Sequence, residues 1–181
     1  MAELILITGG ARSGKSTKAL ELAEGFRRRV FIATAEAVDD EMRERISRHQ
    51  AERGDDWETI EAPLDLAGAI RKVEEAGAAV VVDCLTVWLG NLMYHDPDLG
   101  ETSPYRLQLL NALKTSSAGR IILVTNEVGM GIVPENTLAR RYRDMAGRLN
   151  QDIAALADRV ILSVCGQSLM VKDRKRSNIS P

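Results

Sequence analysis

Gly9-Gly10-Ala11-Arg12-Ser13-Gly14-Lys15-Ser16 fits the pattern G-x-x-x-x-G-K-[ST], and the chain on either side gives it a setting. Leu4-Ile5-Leu6-Ile7-Thr8 precedes it, short, apolar and β-branched, like a buried parallel strand. Thr17 to Ala23 follows and reads as the first turns of a helix. Glycines let such a loop turn tightly, so that backbone N–H groups converge on an anion, and the next helix adds its positive end. Gly9, Gly10, Ala11, Arg12, Ser13 and Gly14 then form a phosphate cradle, and Lys15 reaches the β and γ phosphates. The Ser16 hydroxyl is expected to ligate a Mg²⁺ that bridges them. An ordinary glycine-rich turn is the plain alternative, but the order strand, motif, helix speaks against it. The chain is therefore expected to bind a nucleoside triphosphate.

The whole chain sets bounds on this reading. Its 181 residues suit one domain with a full α/β core. An apolar share of 45% and a charged share of 28% are those of an ordinary globular protein. A net charge of −2 gives no pull toward nucleic acid or an anionic membrane, so neither is an expected partner. No run approaches the roughly 18–20 apolar residues of a membrane span. The first strand begins at once, without room for a leader, and the expected location is the cytoplasm. Arg27-Arg28-Arg29 reads as a solvated helix end. Cys84 and Cys165 are the only cysteines, each after a strand-like run, and read as reduced structural thiols.

Strand and helix alternate along the chain. Val30 to Ala33 is a second buried strand, and Asp39 or Asp40 caps a helix running to about Arg53. Trp57 to Glu61 alternates as a short strand that Pro63 ends. Leu64 to Ala76 is amphipathic through Leu66, Ile70 and Val73, with Gly77 as its terminating glycine. Ala79 to Asp83 is a strand, Leu85 to Tyr94 a helix, His95 to Pro104 a polar loop, and Tyr105 to Lys114 a helix. Arg120 to Thr125 is the fifth strand, and Asn126 to Glu135 a glycine-rich loop. Leu138, Tyr142, Met145, Leu149, Ile153 and Leu156 then mark one face of a long helix. Val160 to Val164 and Ser168 to Val171 are spaced as a hairpin around Cys165-Gly166-Gln167. This order predicts a mostly parallel sheet with helices on both faces and a C-terminal antiparallel hairpin. One catalytic domain over residues 1–172 and a polar tail over 173–181 are expected.

In such a sheet ligands gather beyond the carboxyl ends of the strands, so the residues there are candidates. Thr34 and Ala35 follow the second strand, Asp83 ends the fourth, and Asn126 and Glu127 follow the fifth. Asp83 after three valines is either the second half of the phosphate site, holding Mg²⁺ directly or through water, or a cap for the helix at Leu85. Asn126 to Pro134, with two glycines and a proline, reads either as a loop of fixed shape beside a ligand or as a plain connection. Thr125-Asn126-Glu127-Val128 lacks the Lys and Asp of the guanine-reading Asn-Lys-x-Asp of switch GTPases. His49 continues the apolar steps Val38, Met42 and Ile46. On spacing it is either a histidine at the edge of the core or a nucleophile toward phosphorus.

Taken together, these segments resemble the bifunctional adenosylcobinamide kinase / adenosylcobinamide-phosphate guanylyltransferase family of cobalamin assembly. The resemblance rests on Thr8 to Ser16, Ile32 to Ala35, Asp39 to His49, Trp57 with Glu61, and Asp83 to Leu89. Most specific are Thr-Asn-Glu-Val-Gly-Met-Gly-Ile-Val-Pro-Glu-Asn (Thr125 to Asn136) and Arg-Asp-x-Ala-Gly-Arg-x-Asn-Gln (Arg143 to Gln151). It implies that ATP or GTP phosphorylates adenosylcobinamide and that GTP then gives GMP to adenosylcobinamide phosphate. It also implies a covalent GMP–histidine at His49, which together with the motif's Lys15 makes up the expected catalytic residues, and it puts Glu61 and Asp83 at the nucleotide with the Thr34 region beside them. The implied fold is a P-loop NTPase of RecA-like type, and the implied assembly a homotrimer. A single-activity phosphate-loop kinase and a non-catalytic nucleotide-binding module are the competing expectations.

Overall fold

The computed structural model describes residues 1–36 and 56–174. The helix expected from Asp39 or Asp40 to Arg53, with His49 on it, lies outside the described residues. The described elements run β1 (Glu3–Gly9), α1 (Lys15–Ala23), β2 (Arg28–Ala33), β3 (Glu58–Glu61), α2 (Leu66–Arg71) and β4 (Ala78–Asp83). They continue with α3 (Leu85–His95), α4 (Pro104–Thr115), β5 (Arg120–Val124), α5 (Thr137–Leu156), β6 (Arg159–Val164) and β7 (Gln167–Asp173).

The strands form one sheet in the order β3-β2-β4-β5-β1-β6-β7. Every pairing is parallel except that of β6 with β7. The period-two alternation of each strand divides its side chains between two cores. Leu4, Leu6, Val30, Ile32, Val80, Val82, Ile121 and Leu123 face the larger one, under Leu66, Ile70, Trp88, Leu92, Leu109, Leu113, Leu149 and Ile153 of α2 to α5. Ile5, Ile7, Phe31, Val81, Ile122 and Val124 face the other, where Ala19 and Ala23 of α1 pack. Both faces of the central strands are dry, which is why they read as unbroken apolar runs. Burying each Ile, Leu or Val contributes roughly 1.5–3 kcal/mol against chain entropy.

Local chemistry sets the helix starts. The Ser103 hydroxyl accepts from Arg106 N with Pro104 in the first turn of α4, and Asn136 accepts from Ala139 N at the start of α5. Cys165 (φ 51°) and Gly166 (φ 75°) make the two-residue turn between β6 and β7, where both central residues need positive φ.

Four expectations require correction. The helix expected over Leu64 to Ala76 spans only Leu66–Arg71, and Gly77 does not terminate it. Glu74 and Glu75 would load negative charge onto the negative end of a longer helix. A turn from Val73 N to Ile70 O still buries Val73 after the helix has ended. Arg28 and Arg29 are not at a helix end but open β2, pairing with Glu58 (2.8 Å), Glu75 (3.3 Å) and Asp56 (3.0 Å). Leu138 is exposed, so the buried stripe of α5 begins with the half-buried Tyr142. Strand β7 also extends past Val171 to Asp173.

Candidate active site

The loop between β1 and α1 is built around two glycines with positive φ. Gly9 (φ +151°) passes so close to β6 that a Cβ would lie 2.2 Å from the Ser163 carbonyl oxygen. Gly14 (φ +94°) is the N-cap of α1. No side chain caps that helix and no acid stands in its first turn, so its positive end is open to an anion. Lys15 is buried, with its ammonium turned into the loop to donate to Gly10 O at 2.5 Å and Ser13 Oγ at 3.4 Å. Burial pushes its pKa below the ordinary lysine value, and the nearby Asp83 carboxylate and Cys84 act in the opposite sense. Arg12, in the left-handed region at φ 54°, is exposed beside Ala11 and Gly10.

Ser16 donates its hydroxyl to Asp83 Oδ2 at 2.6 Å. Asp83 does not cap α3: the N-cap is Cys84, and no side-chain bond caps the helix. The carboxylate therefore faces the phosphate loop. Two hard oxygen donors in contact at the end of a phosphate cradle suit Mg²⁺, which takes one or two protein oxygens and completes its shell with phosphate and water.

Sheet register places the remaining candidates. Glu61 pairs with Ala33, and Ala33 with Asp83, so the three stand in one row across β3, β2 and β4. Glu61 is exposed, two strand spacings or roughly 10 Å from Asp83. Thr34 comes to the same rim, but its side chain is fully buried and engaged. Its hydroxyl donates to Cys84 O and accepts from Cys84 N, both at 2.8 Å, which ties the end of β2 to that of β4. Asn91 adds a bond to Thr34 O at 2.7 Å. His95 ends α3 and contacts Glu36, 3.1 Å away.

The loop after β5 has a defined shape beside the phosphate loop. Glu127 N donates to Gly9 O at 3.0 Å, and the Glu127 carboxylate accepts from Gly129 N at 2.7 Å. Asn126 donates to Thr86 Oγ1, and Arg143 and Arg140 of α5 hold Gly129 O and Pro134 O. This supports the fixed-shape alternative for Asn126 to Pro134. Met130, Ile132 and Val133 project from it into solvent. Missing from the sequence reading are Ser163 and Gly166, which touch the phosphate loop from β6 and the hairpin turn. Only alternation flags Ser163, as a polar residue at a buried position of an apolar strand.

Comparison with known proteins gives this geometry its context. Residues 5–171 match the family described as cobinamide kinase / cobinamide phosphate guanyltransferase. The chain belongs to that family. It is 48% identical over 168 residues to the bifunctional adenosylcobalamin biosynthesis protein CobP of Pseudomonas aeruginosa, covering 92% of this chain and 96% of that one. It is 39% identical over 180 residues to the bifunctional adenosylcobalamin biosynthesis protein CobU of Escherichia coli, covering 93% and 99%. The family's enzymes are thus matched along nearly their whole length. Among solved structures, the type III secretion ATPase EscN of enteropathogenic E. coli shares the fold, with a TM-score of 0.58 at 13% identity over 91% of this chain and 43% of that chain. The P-loop NTPase fold implied by the family resemblance is thereby shown. Among the described residues, no helix is long and apolar enough to cross a membrane.

Proposed function

We propose that this enzyme carries out two consecutive transfers on a corrinoid at one phosphate loop. In the first, ATP or GTP binds with its β and γ phosphates over Gly9 to Gly14 and Lys15. The side-chain hydroxyl of adenosylcobinamide attacks the γ phosphorus. A new P–O bond forms, the bond to the β–γ bridging oxygen breaks, the hydroxyl proton passes to solvent, and the nucleoside diphosphate leaves with the bridging oxygen. Lys15 and the open end of α1 stabilise the charge on the transferring group. Mg²⁺, held by the Ser16 hydroxyl and the Asp83 carboxylate, would supply charge neutralisation along the phosphate tail.

In the second transfer His49 attacks the α phosphorus of GTP and pyrophosphate leaves to the loop. A phosphate oxygen of adenosylcobinamide phosphate then attacks the same phosphorus and frees the imidazole. The product is adenosyl-GDP-cobinamide. Splitting one displacement into two in this way is the general gain of a covalent intermediate. Glu61, in the same row as Asp83 and two strands away across the sheet, stands at a distance suited to the nucleoside, and Thr34 fixes the rim between them. The reading takes the enzyme as cytoplasmic and, on family resemblance, as a homotrimer.

The observation that supports it best is the 2.6 Å contact of Ser16 with Asp83 at the mouth of a complete phosphate loop, in a chain of this family. The kinase step is tested with ATP labelled in its γ phosphate. Label should pass to adenosylcobinamide, and Lys15→Ala should slow this by about 10²- to 10³-fold. Wild-type protein that leaves the corrinoid unlabelled would remove the kinase step from the proposal.

A further inference from the structure

We infer that Ser163, acting with the hairpin turn at Gly166, is a positioning residue that sets the anion-binding conformation of the phosphate loop. The inference rests on the reading that this loop holds the nucleotide's phosphates.

Ser163 pairs in register with Gly9 across β6 and β1 and is 1% exposed. Its Oγ donates to the Ser13 carbonyl oxygen at 2.7 Å. The Gly166 N–H donates to the same oxygen at 3.0 Å. A backbone carbonyl has two acceptor directions, and at Ser13 the β6–β7 hairpin supplies both donors. In a planar trans peptide the C=O of one residue and the N–H of the next point in opposite directions. Fixing the Ser13 carbonyl toward the hairpin therefore turns the Gly14 N–H away from it, toward the inside of the loop. Gly14 is the N-cap of α1, where the anion meets the helix.

The hairpin is in direct contact with the loop. A Cβ on Gly14 would lie 3.2 Å from Gly166 Cα, and one on Gly9 would lie 2.2 Å from Ser163 O. The two-residue turn, with Cys165 and Gly166 both at positive φ, holds the Gly166 N–H at a fixed place at the end of a short, tight connection. Ser163 has no partner role in the strand ladder that a valine would not fill. Its hydroxyl is accounted for by Ser13. The C-terminal hairpin, remote in sequence from every catalytic motif, thus acts through the loop on whatever the loop binds.

The test compares Ser163→Ala, Ser163→Thr and Lys15→Ala with the wild-type enzyme. Nucleotide affinity is measured by calorimetry with GTP, and KM is measured for each substrate in both reactions. Ser163→Ala should weaken GTP binding and raise the nucleotide KM of both reactions by the same factor, about three- to tenfold. The KM for adenosylcobinamide should stay within about twofold, and Ser163→Thr, which keeps a hydroxyl, should recover most of the loss. Ser163→Cys, a weak donor of similar size, should reproduce the alanine effect where that variant folds poorly. A general loss of structure would instead lower kcat for all substrates by removing active enzyme, with every KM unchanged, and would overturn the inference. So would GTP affinity unchanged in Ser163→Ala while Lys15→Ala weakens it. GTP affinity unchanged in Lys15→Ala as well would count against the phosphate-loop reading itself.

Discussion

Ser16, in the first turn of α1, and Asp83, at the end of β4, meet through a 2.6 Å hydrogen bond although β1, which leads into the phosphate loop, and β4 are not neighbours. Strand β5 runs between β1 and β4, so the loop and the carboxylate converge above it. The bond holds Asp83 toward the cradle. Asp83→Asn keeps the shape and an acceptor oxygen but removes the charge. It should cut the rate of both reactions by about 10²-fold and raise the Mg²⁺ concentration needed for half-maximal rate. Steady-state rates across a Mg²⁺ titration check this, and an unchanged Mg²⁺ requirement would remove Asp83 from the metal.

The two glycines that open the motif should respond differently to a methyl group. Gly9→Ala drives a Cβ against the Ser163 carbonyl in a backbone conformation that alanine rarely adopts. A loss of about 3 kcal/mol or more is expected. A Cβ on Gly10 meets nothing within 4 Å. Gly10→Ala should change stability by less than about 1 kcal/mol. Urea unfolding of the two variants gives the comparison, and equal midpoints would contradict the packing of loop on β6.

Tyr142 offers a pH signature. Burial first, and the neighbouring Cys84 second, push its phenol up to about 12. Its hydroxyl donates to Thr86 O at 2.9 Å. The unfolded chain ionises the phenol near its ordinary value of about 10, so the folded state holds the extra proton between the two values. The contribution to stability is therefore full below about pH 10 and is lost as pH rises toward about 12. A phenolate absorbance titration of wild type minus Tyr142→Phe should show a midpoint of about 12. A midpoint at the ordinary value would place Tyr142 in water.

The two thiols should separate cleanly by reactivity. Cys165 is exposed at the hairpin turn. Cys84 is buried, and burial together with the Asp83 charge raises its pKa, which suppresses the reactive thiolate. A thiol-disulfide reagent should label one cysteine in the folded protein and two after unfolding, and Cys165→Ser should abolish the fast reaction. Rapid labelling of Cys84 in the folded state would contradict its placement under the site.

How much of this was legible in the sequence follows from how local each feature is. The strand, loop and helix from Leu4 to Ala23 are contiguous, and every requirement of the phosphate loop is written in consecutive residues. Asp83 was legible because an apolar run ends on it. The choice between capping α3 and facing the loop was not, since it depends on β5 entering between two remote strands. Ser163 was illegible for the same reason, its bond to Ser13 spanning 150 residues. The run Leu66, Ile70, Val73 overstated a helix because a single turn buries Val73 as well as a helix would. Arg28 and Arg29 looked solvated until the register with β3 set Glu58 beside them. Thr34 was legible as a rim residue, whereas the engagement of its hydroxyl with Cys84 needed the fold.

The central claim, that GMP passes through His49 on its way to the corrinoid, has a direct measurement. Protein is incubated with GTP labelled in its α phosphate, denatured, and assayed for retained label. The account predicts label on the wild-type chain that is stable to base and labile to acid, as a phosphoramidate is. It predicts none on His49→Ala, and transfer of the wild-type label to adenosylcobinamide phosphate when that is added. A wild-type chain that never retains the α label, or a His49→Ala chain that retains it equally, would contradict the account.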